Sequence, residues 1–364
     1  MSVLKMKTLT RKLVVAFVML LLVSSKSHAA FFRPDVRPGY GVTSQGWLSD
    51  YCESLRGTNL DTPVFFLDSG KSGASALVLG GTHPRELAGV TSATMLVENC
   101  EVKVGRLVVI PCLNVSGMSI PDQNGKVPHF LPIESRSGLR YLPYGDRYVD
   151  IQDQGQPDPE KFQHFSGYEI DDGAESRNIN RNYPGKKDGT PTAQVAFGVM
   201  ELIRKEKINF SIDLHESGTP DYFIDRKNGE VSPGSRLAYM LVCNPKALEI
   251  GAETVLALEE KGISLKVDQS NPEFRGLSHL EIGNATDCLS FLSETPNPGQ
   301  DTWREAPDVL FDHDYPLKMR VGICVEVVKS LADIYGETTG KKLVMENVPS
   351  YEELQEKDVG AFLN

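Results

Sequence analysis

The sequence predicts an α/β fold, in which helices cover both faces of a mixed sheet, because short apolar runs alternate with longer segments of helical periodicity. Short apolar runs bounded by Gly, Pro or polar residues indicate buried strands. Apolar residues that recur three and four positions apart indicate amphipathic helices. Strands that alternate with helices along one chain are typical of layered α/β domains.

Several strands and helices follow from these patterns. The expected strands are residues 64–67, 76–79, 107–111, 210–214 and 289–293. The expected helices are residues 86–99, 192–206, 237–261 and 321–335. The stretch 116–182 has little periodicity but is rich in Pro, Gly and aromatic residues, so we expect a structured excursion that forms one wall of a cleft. The polar stretch 352–358 is expected to be a solvated acidic tail.

The first thirty residues have the pattern of an export signal. Lysines and arginines precede an apolar core at residues 13–23, and small residues follow it at the expected cleavage site. The apolar core is too short to span a bilayer comfortably. We therefore predict a signal peptide at residues 1–30, a single domain at residues 31–364, a periplasmic or secreted location, and no stable membrane insertion after cleavage.

The charge and the cysteines limit the partners and the redox state. Loss of residues 1–30 removes five positive charges and no acid, so the formal net charge falls from −11 to −16. Such an acidic surface opposes binding to a phosphate backbone, and nucleic acid is not expected as a partner. All six cysteines lie after residue 30, where disulfides can persist after export, so one or two disulfides are expected.

One segment points to metal chemistry. The apolar run 76–79 ends at a Gly pair and is followed by His83 and Glu86. An imidazole and a carboxylate three residues apart can turn toward one ion, and together they supply two of the three protein ligands of a hydrolytic zinc. The run 210–214 ends in the same way on a histidine, so His215 is the expected third ligand.

A carboxylate is also needed for hydrolysis, because a base must take the proton of the attacking water. Glu294 follows the apolar run 289–293 and is our candidate for this general base. In open α/β sheets the functional groups gather at the carboxyl ends of strands, where Glu294 and the three ligands are expected to meet. Glu326 is a weaker candidate, because it lies within the predicted helix 321–335.

These residues, in this order, resemble the motif set of the zinc carboxypeptidase superfamily. The resemblance spans about residues 74–296 and rests on four elements: Thr82-His83-Pro84-Arg85-Glu86, Asn180-Arg181-Asn182-Tyr183-Pro184, His215 and Glu294. That superfamily includes carboxypeptidase A-like peptidases and the succinylglutamate desuccinylase and aspartoacylase branch. The resemblance implies a three-layer α/β/α fold with a mixed, mainly parallel sheet. It also implies a zinc cofactor bound by His83, Glu86 and His215, with Glu294 as the catalytic glutamate.

The resemblance assigns Asn180 and Arg181 to the carboxylate at the end of the substrate. A guanidinium binds a carboxylate through two parallel hydrogen bonds, and an amide adds a donor without adding charge. Arg85 is expected to line the cleft, as in the peptidase branch. The family pattern implies one more arginine, which polarises the scissile carbonyl. The candidates are Arg136, Arg140 and Arg147, of which we favour Arg140.

One departure from the family pattern concerns a tyrosine. The peptidases carry a mobile tyrosine about twenty residues before the catalytic glutamate, whereas residues 271–287 contain none. Tyr141, Tyr144 or Tyr148 is expected to take this role from the excursion. The remaining histidines are expected to be ordinary surface or cleft residues: His129, His164, His279 and His313.

The expected function is that of a zinc-dependent exopeptidase, metallocarboxypeptidase-like, which hydrolyses an amide bond next to a substrate carboxylate. An alternative is an N-acyl amino acid deacylase of the succinylglutamate desuccinylase and aspartoacylase type. Arg85 and the long excursion favour a peptidase, whereas Asp213 beside His215 and the missing tyrosine favour a deacylase. The substrate is thus a peptide or an N-acyl amino acid. A non-catalytic binding protein on the same fold is a further alternative.

Overall fold

The structure is a computed structural model that describes residues 32–224 and 230–364. The predicted signal peptide, at residues 1–30, lies outside the described residues. Residues 32–364 form one compact unit. Within the described part of the chain, none of the helices is both long enough and apolar enough to cross a membrane.

An eight-stranded sheet forms the centre of the molecule. Its strands in chain order are β1 (Ser44–Trp47), β2 (Pro63–Asp68), β3 (Ser75–Leu79), β4 (Arg106–Ile110), β5 (Phe210–Ser217), β6 (Met240–Cys243), β7 (Lys266–Gln269) and β8 (Leu289–Pro296). The spatial order is β1-β2-β4-β3-β5-β8-β6-β7. The four central strands β4, β3, β5 and β8 are parallel. Antiparallel pairing appears toward the edges, at β1 with β2, β2 with β4, and β6 with β8.

Six helices of seven residues or more accompany this sheet in the described residues. They are α1 (Leu87–Asn99), α2 (Pro191–Glu206), α3 (Leu248–Glu260), α4 (Ser278–Ala285), α5 (Leu317–Thr339) and α6 (Tyr351–Lys357). Single helical turns are Val115–Met118 and Ile151–Gln154, and 3-10 turns are Leu48–Asp50, Glu53–Leu55, Gly173–Arg177, Ile179–Arg181, Pro245–Ala247, Pro298–Gln300 and Val359–Phe362. Small two-stranded pairings join Glu101–Val104 with Val344–Glu346, Phe130–Ser135 with Gly138–Pro143, Phe162–Gln163 with Glu169–Ile170, and Phe223–Ile224 with Val231–Ser232.

The side chains of β3 show that the sheet is covered on both faces. Ala76 and Val78 belong to one apolar core, to which α1, α3 and α5 also contribute. Leu77 and Leu79 belong to a second core, with α2 on the opposite face. In such three-layer domains, alternate side chains of a central parallel strand point to opposite faces of the sheet, and both faces are buried. The predicted α/β/α fold class with a mixed, mainly parallel sheet is therefore confirmed.

Three expectations about the chain are wrong. Residues 237–261 are not one helix: the segment forms β6 and then α3, because Asn244 caps a 3-10 turn that begins at Pro245. The acidic stretch is not a simple solvated tail: its charged side chains are exposed, but it forms α6, which has a capping box and a fully buried Leu354. The six cysteines are all described, and all are buried free thiols, so the expected disulfides are absent from the described structure.

Candidate active site

The candidate site lies at the carboxyl edge of the central parallel strands. In the register of the sheet, Asp213 of β5 stands beside Leu79, the last residue of β3. Two positions further along β5, His215 stands beside Glu294 of β8. His83 follows the end of β3 by four residues. The sheet therefore brings His83, His215 and Glu294 to one edge, although β5 and β8 continue two residues beyond His215 and Glu294.

A Gly pair lets the chain turn from β3 into α1. Gly81 has φ of +58°, in the left-handed region that favours glycine. A Cβ at Gly80 would come within 2.6 Å of two backbone carbonyl oxygens, so that a larger residue does not fit. The Glu86 N–H donates to the His83 carbonyl across 2.9 Å, and Glu86 is the cap residue of α1. This tight turn brings the two side chains to the same side.

His83, Glu86 and His215 form a compact buried group. Nδ1 of His83 lies 2.8 Å from Oε1 of Glu86, and Nδ1 of His215 lies 2.8 Å from Oε2 of the same carboxylate. The three residues are at most 3% exposed. Among the described residues this is the one cluster of His, Cys, Asp and Glu side chains with ligand atoms this close together, all within 4.8 Å.

The partner of His83 determines which nitrogen faces the group. Nε2 of His83 lies 2.9 Å from Oδ1 of Asn178. The orientation of that amide follows from its other bonds, because its nitrogen donates to Glu175 and its oxygen also accepts from the Asn180 N–H. Nε2 of His83 must therefore carry the proton, which leaves a lone pair on Nδ1 for a metal. Such second partners orient metal-binding histidines in general.

Asp213 stands behind His215. Its Oδ2 lies 3.1 Å from Nε2 of His215, although the angle is not that of a hydrogen bond. The carboxylate is held by hydroxyl groups of Thr82 and Ser278 at 2.8 and 2.7 Å. Burial alone would lower the pKa of His215, but the charges of Asp213 and Glu86 outweigh it and hold this pKa well above its ordinary value. A proton on His215 thus neutralises buried carboxylates, and a divalent cation can take over that task.

The other two members of the group are already in the form that binds a metal. Burial lowers the pKa of His83 to about 4, so its imidazole is neutral near pH 7. Burial opposes ionisation of Glu86, but its interactions with His83 and His215 hold its pKa well below the usual range. Two imidazole nitrogens and one carboxylate are the protein donor set of many catalytic zinc sites. The chemistry of the donors therefore fits zinc.

Glu294 is a carboxylate with an unsatisfied oxygen. Its Oε2 is buried and has no hydrogen-bond partner among the described residues. Burial raises its pKa to about 8, against the opposing charge of His215 and with a further contribution from Glu86. A buried carboxylate that can hold or release a proton near neutral pH is suited to general acid-base chemistry.

Asn180 and Arg181 lie in the 3-10 turn Ile179–Arg181, within the excursion. The Asn180 side-chain oxygen accepts a hydrogen bond from the Ser278 N–H at 2.7 Å. Nε of Arg181 lies 3.2 Å from Glu175, and one terminal nitrogen donates to the Asn180 carbonyl. Burial, together with the charge of Arg147, lowers the pKa of Arg181.

The prediction for Arg140 is wrong. Its guanidinium donates to both carboxylate oxygens of Glu98 and to the Asp35 carbonyl. Glu98 is at the carboxyl end of α1, whereas Glu86 caps the other end, and 13 helical residues span about 20 Å. Arg140 points away from the cleft because alternate side chains of its hairpin strand are buried, and Arg140 is one of them. Arg136 binds side chains of Asn99 and Asn364 in the same region.

Arg147 is the candidate arginine that acts on the metal group. Its positive charge influences the pKa values of His83 and Glu294. Nε of Arg147 lies 3.6 Å from Glu175, the carboxylate that also contacts Arg181. The single negative charge of Glu175 is thus shared by two arginines. Sequence patterns did not predict this role of Glu175.

Arg85 is only loosely held. Its terminal nitrogens lie 3.4 Å from Asp122 and 3.5 Å from Gln300, and its buried Nε has no partner among the described residues. It directly precedes Glu86, so it lies at the border of the metal group, and its role in lining the cleft stays a prediction.

The three tyrosines have separate environments. Tyr141 is exposed on the hairpin beside Arg140, and Tyr144 is fully buried with an unpartnered hydroxyl within the described structure. The Tyr148 hydroxyl donates to Glu175 at 3.0 Å, so Tyr148 is the tyrosine tied to the arginine pair. Two histidines that we expected at the surface or in the cleft, His164 and His279, are buried and hydrogen-bonded.

A buried ion pair lies next to the metal group. The fully buried Arg320 of α5 donates to Glu216, which directly follows His215. Oε2 of Glu216 also accepts from the Ala88 N–H in the first turn of α1 and from the side chain of Asn297, both at 3.1 Å. Glu216 therefore ties together β5, α1 and α5, the elements around the ligands.

Comparisons with known proteins give structural neighbours only. No family model matches the sequence, and no curated protein matches it. The chain is similar to a succinylglutamate desuccinylase from a Silicibacter species (15% identity, 80% of this chain and 64% of that chain, TM-score 0.41). It is also similar to the ectoine utilization protein EutE from Ruegeria pomeroyi (14%, 76% and 60%, TM-score 0.41) and to the product-bound cell shape determinant protein Csd4 from Helicobacter pylori (13%, 78% and 55%, TM-score 0.45). The chain thus spans less than two thirds of the length of each.

Fold and site together define a class of protein. The group of His83, Glu86 and His215 is typical of a zinc site, and it lies at the carboxyl edge of a mixed α/β sheet beside the carboxyl of Glu294, whose Oε2 is buried. Such a donor set beside a carboxylate is suited to zinc-dependent hydrolysis.

Proposed function

We propose that the protein is a zinc-dependent exopeptidase that hydrolyses the amide bond next to a substrate carboxylate. The observation that carries the proposal is the position of Glu294, which stands in register with His215 and whose Oε2 is buried and unpartnered in the described structure. The export pattern of residues 1–30 supports action in the periplasm or outside the cell, where peptides are available substrates.

The proposed ligands bind the metal, and the proposed base transfers the proton. His83, Glu86 and His215 would hold zinc, which polarises a carbonyl oxygen and lowers the pKa of water toward neutrality when bound. Glu294 accepts the proton of the attacking water at its free Oε2 and passes it to the leaving amine nitrogen. The cation would also lower the pKa of Glu294 from about 8, so that the carboxylate form prevails at neutral pH.

Two arginines are suited to bind the negative charges of the substrate and of the reacting carbonyl oxygen. Arg147 and Arg181 share the single carboxylate of Glu175, so this part of an otherwise acidic protein has an excess positive charge. Arg181, with Asn180, is suited to hold the terminal carboxylate of the substrate. Arg147, whose charge reaches His83 and Glu294, is suited to stabilise negative charge that develops on the scissile carbonyl oxygen.

An N-acyl amino acid deacylase is the second candidate, because its substrate has the same amide next to a carboxylate. The absence of tyrosine from residues 271–287 favours it, together with the engagement of the Tyr148 hydroxyl by Glu175. A binding protein without turnover is the third candidate. It would have no need of a buried carboxyl left unpaired by the described residues, and Glu294 therefore argues against it.

The test is product analysis by mass spectrometry. The purified, zinc-loaded protein is incubated with peptides and with N-acyl amino acids, with and without a chelator. Chelator-sensitive release of single carboxyl-terminal residues from peptides is expected. Release of acyl groups from N-acyl amino acids alone would favour the deacylase. No turnover of either class by protein shown to contain zinc would contradict both enzyme proposals.

A further inference from the structure

Glu175 lies where the polar contacts of the candidate site converge. It belongs to the 3-10 turn Gly173–Arg177 of the excursion, just before the turn that contains Asn180 and Arg181. Its side chain is only 12% exposed, so the carboxylate has lost most of its hydration and depends on partners within the protein. Burial alone would raise the pKa of Glu175, but the charges of Arg147 and Arg181, together with two hydrogen bonds, outweigh it and lower this pKa. The group is therefore ionised at neutral pH, and an ionised carboxylate can only accept hydrogen bonds.

Two arginines of the site share this carboxylate. Nε of Arg181 lies 3.2 Å from Oε2 of Glu175, and Nε of Arg147 lies 3.6 Å from Oε1. Neither arginine has another carboxylate partner among the described residues. One terminal nitrogen of Arg181 donates to the Asn180 carbonyl at 2.7 Å, so the guanidinium is held on two sides. Its other terminal nitrogen has no partner in the described part of the chain, and it is left for the carboxylate of a substrate.

The same carboxylate acts on a proposed metal ligand through one amide. Oε2 of Glu175 accepts from Nδ2 of Asn178 at 2.7 Å, and Oδ1 of Asn178 lies 2.9 Å from Nε2 of His83. Because the carboxylate can only accept, it turns the amide nitrogen toward itself and the amide oxygen toward His83. The Asn180 N–H supports this orientation, since it donates to the same amide oxygen. Glu175 therefore helps to determine which nitrogen of His83 carries the proton.

The carboxylate of Glu175 is itself fixed through both oxygens. The Tyr148 hydroxyl donates to Oε1 at 3.0 Å, while the Asn178 amide binds Oε2. The backbone of the turn is anchored as well, because the Asn178 N–H donates to the Glu175 carbonyl at 3.1 Å and the Val149 N–H donates to the Arg177 carbonyl at 2.9 Å. A group that is locked by its own hydrogen bonds can hold its neighbours in one arrangement.

We propose that Glu175 is a positioning residue, whose carboxylate orients Arg181 and Arg147 toward the substrate and, through Asn178, orients His83 toward the metal. The inference rests on the proposed function, which gives the two arginines their roles. A role limited to charge balance makes the opposite prediction, because loss of the negative charge would leave two cations that attract a substrate carboxylate more strongly. Loss of positioning weakens binding instead, since paired hydrogen bonds between a guanidinium and a carboxylate depend on geometry.

The first variant removes the charge of Glu175 and keeps its shape. Glu175→Gln retains an oxygen that can accept from Asn178, but it has no charge for the arginines. The zinc-loaded wild type and variant are compared on a peptide or N-acyl amino acid that the wild type hydrolyses. We expect KM to rise about tenfold and kcat to fall, because both arginines lose their orientation. A KM that falls or stays the same would overturn the proposal.

The second variant removes the acceptor as well. Glu175→Met cannot accept from Asn178, so its zinc affinity should fall roughly three- to tenfold, less than the 10- to 100-fold typical of a direct partner of a ligand. The zinc affinity of Glu175→Gln should match that of the wild type. Competition with a fluorescent chelator measures both affinities. Equal affinities of the Gln and Met variants would overturn the link from Glu175 to His83.

Nitrogen-15 NMR of labelled arginine gives a readout that does not depend on activity. The Nε–Hε signals of Arg147 and Arg181 should shift in Glu175→Gln, and unchanged signals would overturn their orientation by Glu175. Asp158→Asn is the matched control, since Asp158 pairs with Arg177 of the same turn at 2.7 and 2.9 Å. It should shift the Arg177 signal and leave KM and the other two signals unchanged. If the wild type hydrolyses no substrate, the proposed function fails, whereas these spectra still decide whether Glu175 orients the arginines.

Discussion

His215 and Glu294 stand opposite each other in the register of two parallel strands, β5 and β8. A ligand and the proposed base are thus positioned by the hydrogen bonds of the sheet, and not by a loop. Functional groups on regular elements are held more precisely than groups on loops. Changes to one of these two side chains should therefore leave the position of the other intact.

Replacement of Glu294 with glutamine is expected to leave zinc bound and to lower kcat about 100-fold or more, because a carboxamide cannot accept the proton of water. Zinc content by atomic absorption and steady-state kinetics would check both parts. Glu326→Gln is the matched control, since Glu326, on α5, binds Lys261 and Lys329. Full activity of the Glu294→Gln protein would remove Glu294 from the mechanism.

Arg147→Met is expected to lower kcat/KM about 100-fold or more, because a donor to the developing oxyanion is lost. Arg140→Met should instead lower the free energy of unfolding, since it leaves Glu98 buried without its partner. Its folded fraction should keep near-normal kcat. Kinetics and urea unfolding on both variants separate these outcomes, and the reverse pattern would restore Arg140 as the polarising residue.

Asn178 is expected to tune the metal site through His83. Asn178→Ala removes the acceptor of the His83 Nε2 proton and should weaken zinc binding about 10- to 100-fold, as do other losses of such partners. Asn209→Ala is the control, since Asn209 accepts from the Ser75 N–H at the opposite edge of the sheet. Competition with a fluorescent chelator would measure both affinities. Equal affinities would show that Asn178 does not act on the ligand.

Local patterns explain why the grouping of His83, Glu86 and His215 could be predicted from the sequence. His83 and Glu86 are three residues apart after a Gly pair, and His215 ends an apolar run, so each element is visible within a few residues. The fold class could be predicted for the same reason. The helix predicted over 237–261 was wrong because a local stop signal, Asn244-Pro245, was outweighed by the apolar content on either side.

Other features depend on contacts between distant segments and could not be predicted. Whether Arg140 faces the cleft depends on which side of its hairpin is buried, and the apolar pattern of the hairpin did not reveal this. Asn178 acquires its role only when the excursion meets the loop after β3, 95 residues away in sequence. The pairing of Glu216 with Arg320 joins residues 104 positions apart.

Arg320→Met is expected to lower the free energy of unfolding by about 3–5 kcal/mol, because it leaves the charge of Glu216 buried without its partner. The double variant Glu216→Gln/Arg320→Met should recover part of this loss, since both charges are gone. Urea unfolding of the two variants in the presence of chelator would measure the difference without a contribution from metal. A double variant no more stable than Arg320→Met would show that the uncompensated charge is not the cause.

The stability of the protein is expected to fall in acid, partly because of His279. Burial lowers its folded pKa to about 3, far below the ordinary 6.5, so the unfolded chain binds a proton there more readily. The stabilising contribution is complete above about pH 6.5 and is lost as the pH falls from there toward 3. The loss of unfolding free energy amounts to about 2 kcal/mol at pH 5.

His279→Gln cannot titrate, and the difference in unfolding free energy between wild type and variant should shift by that amount between pH 8 and pH 5, with chelator present. His313→Gln is the control, because the exposed His313 has its pKa raised by Asp314 and its effect has the opposite sign. A difference between wild type and His279→Gln that does not change with pH would show that His279 protonates freely in the folded protein.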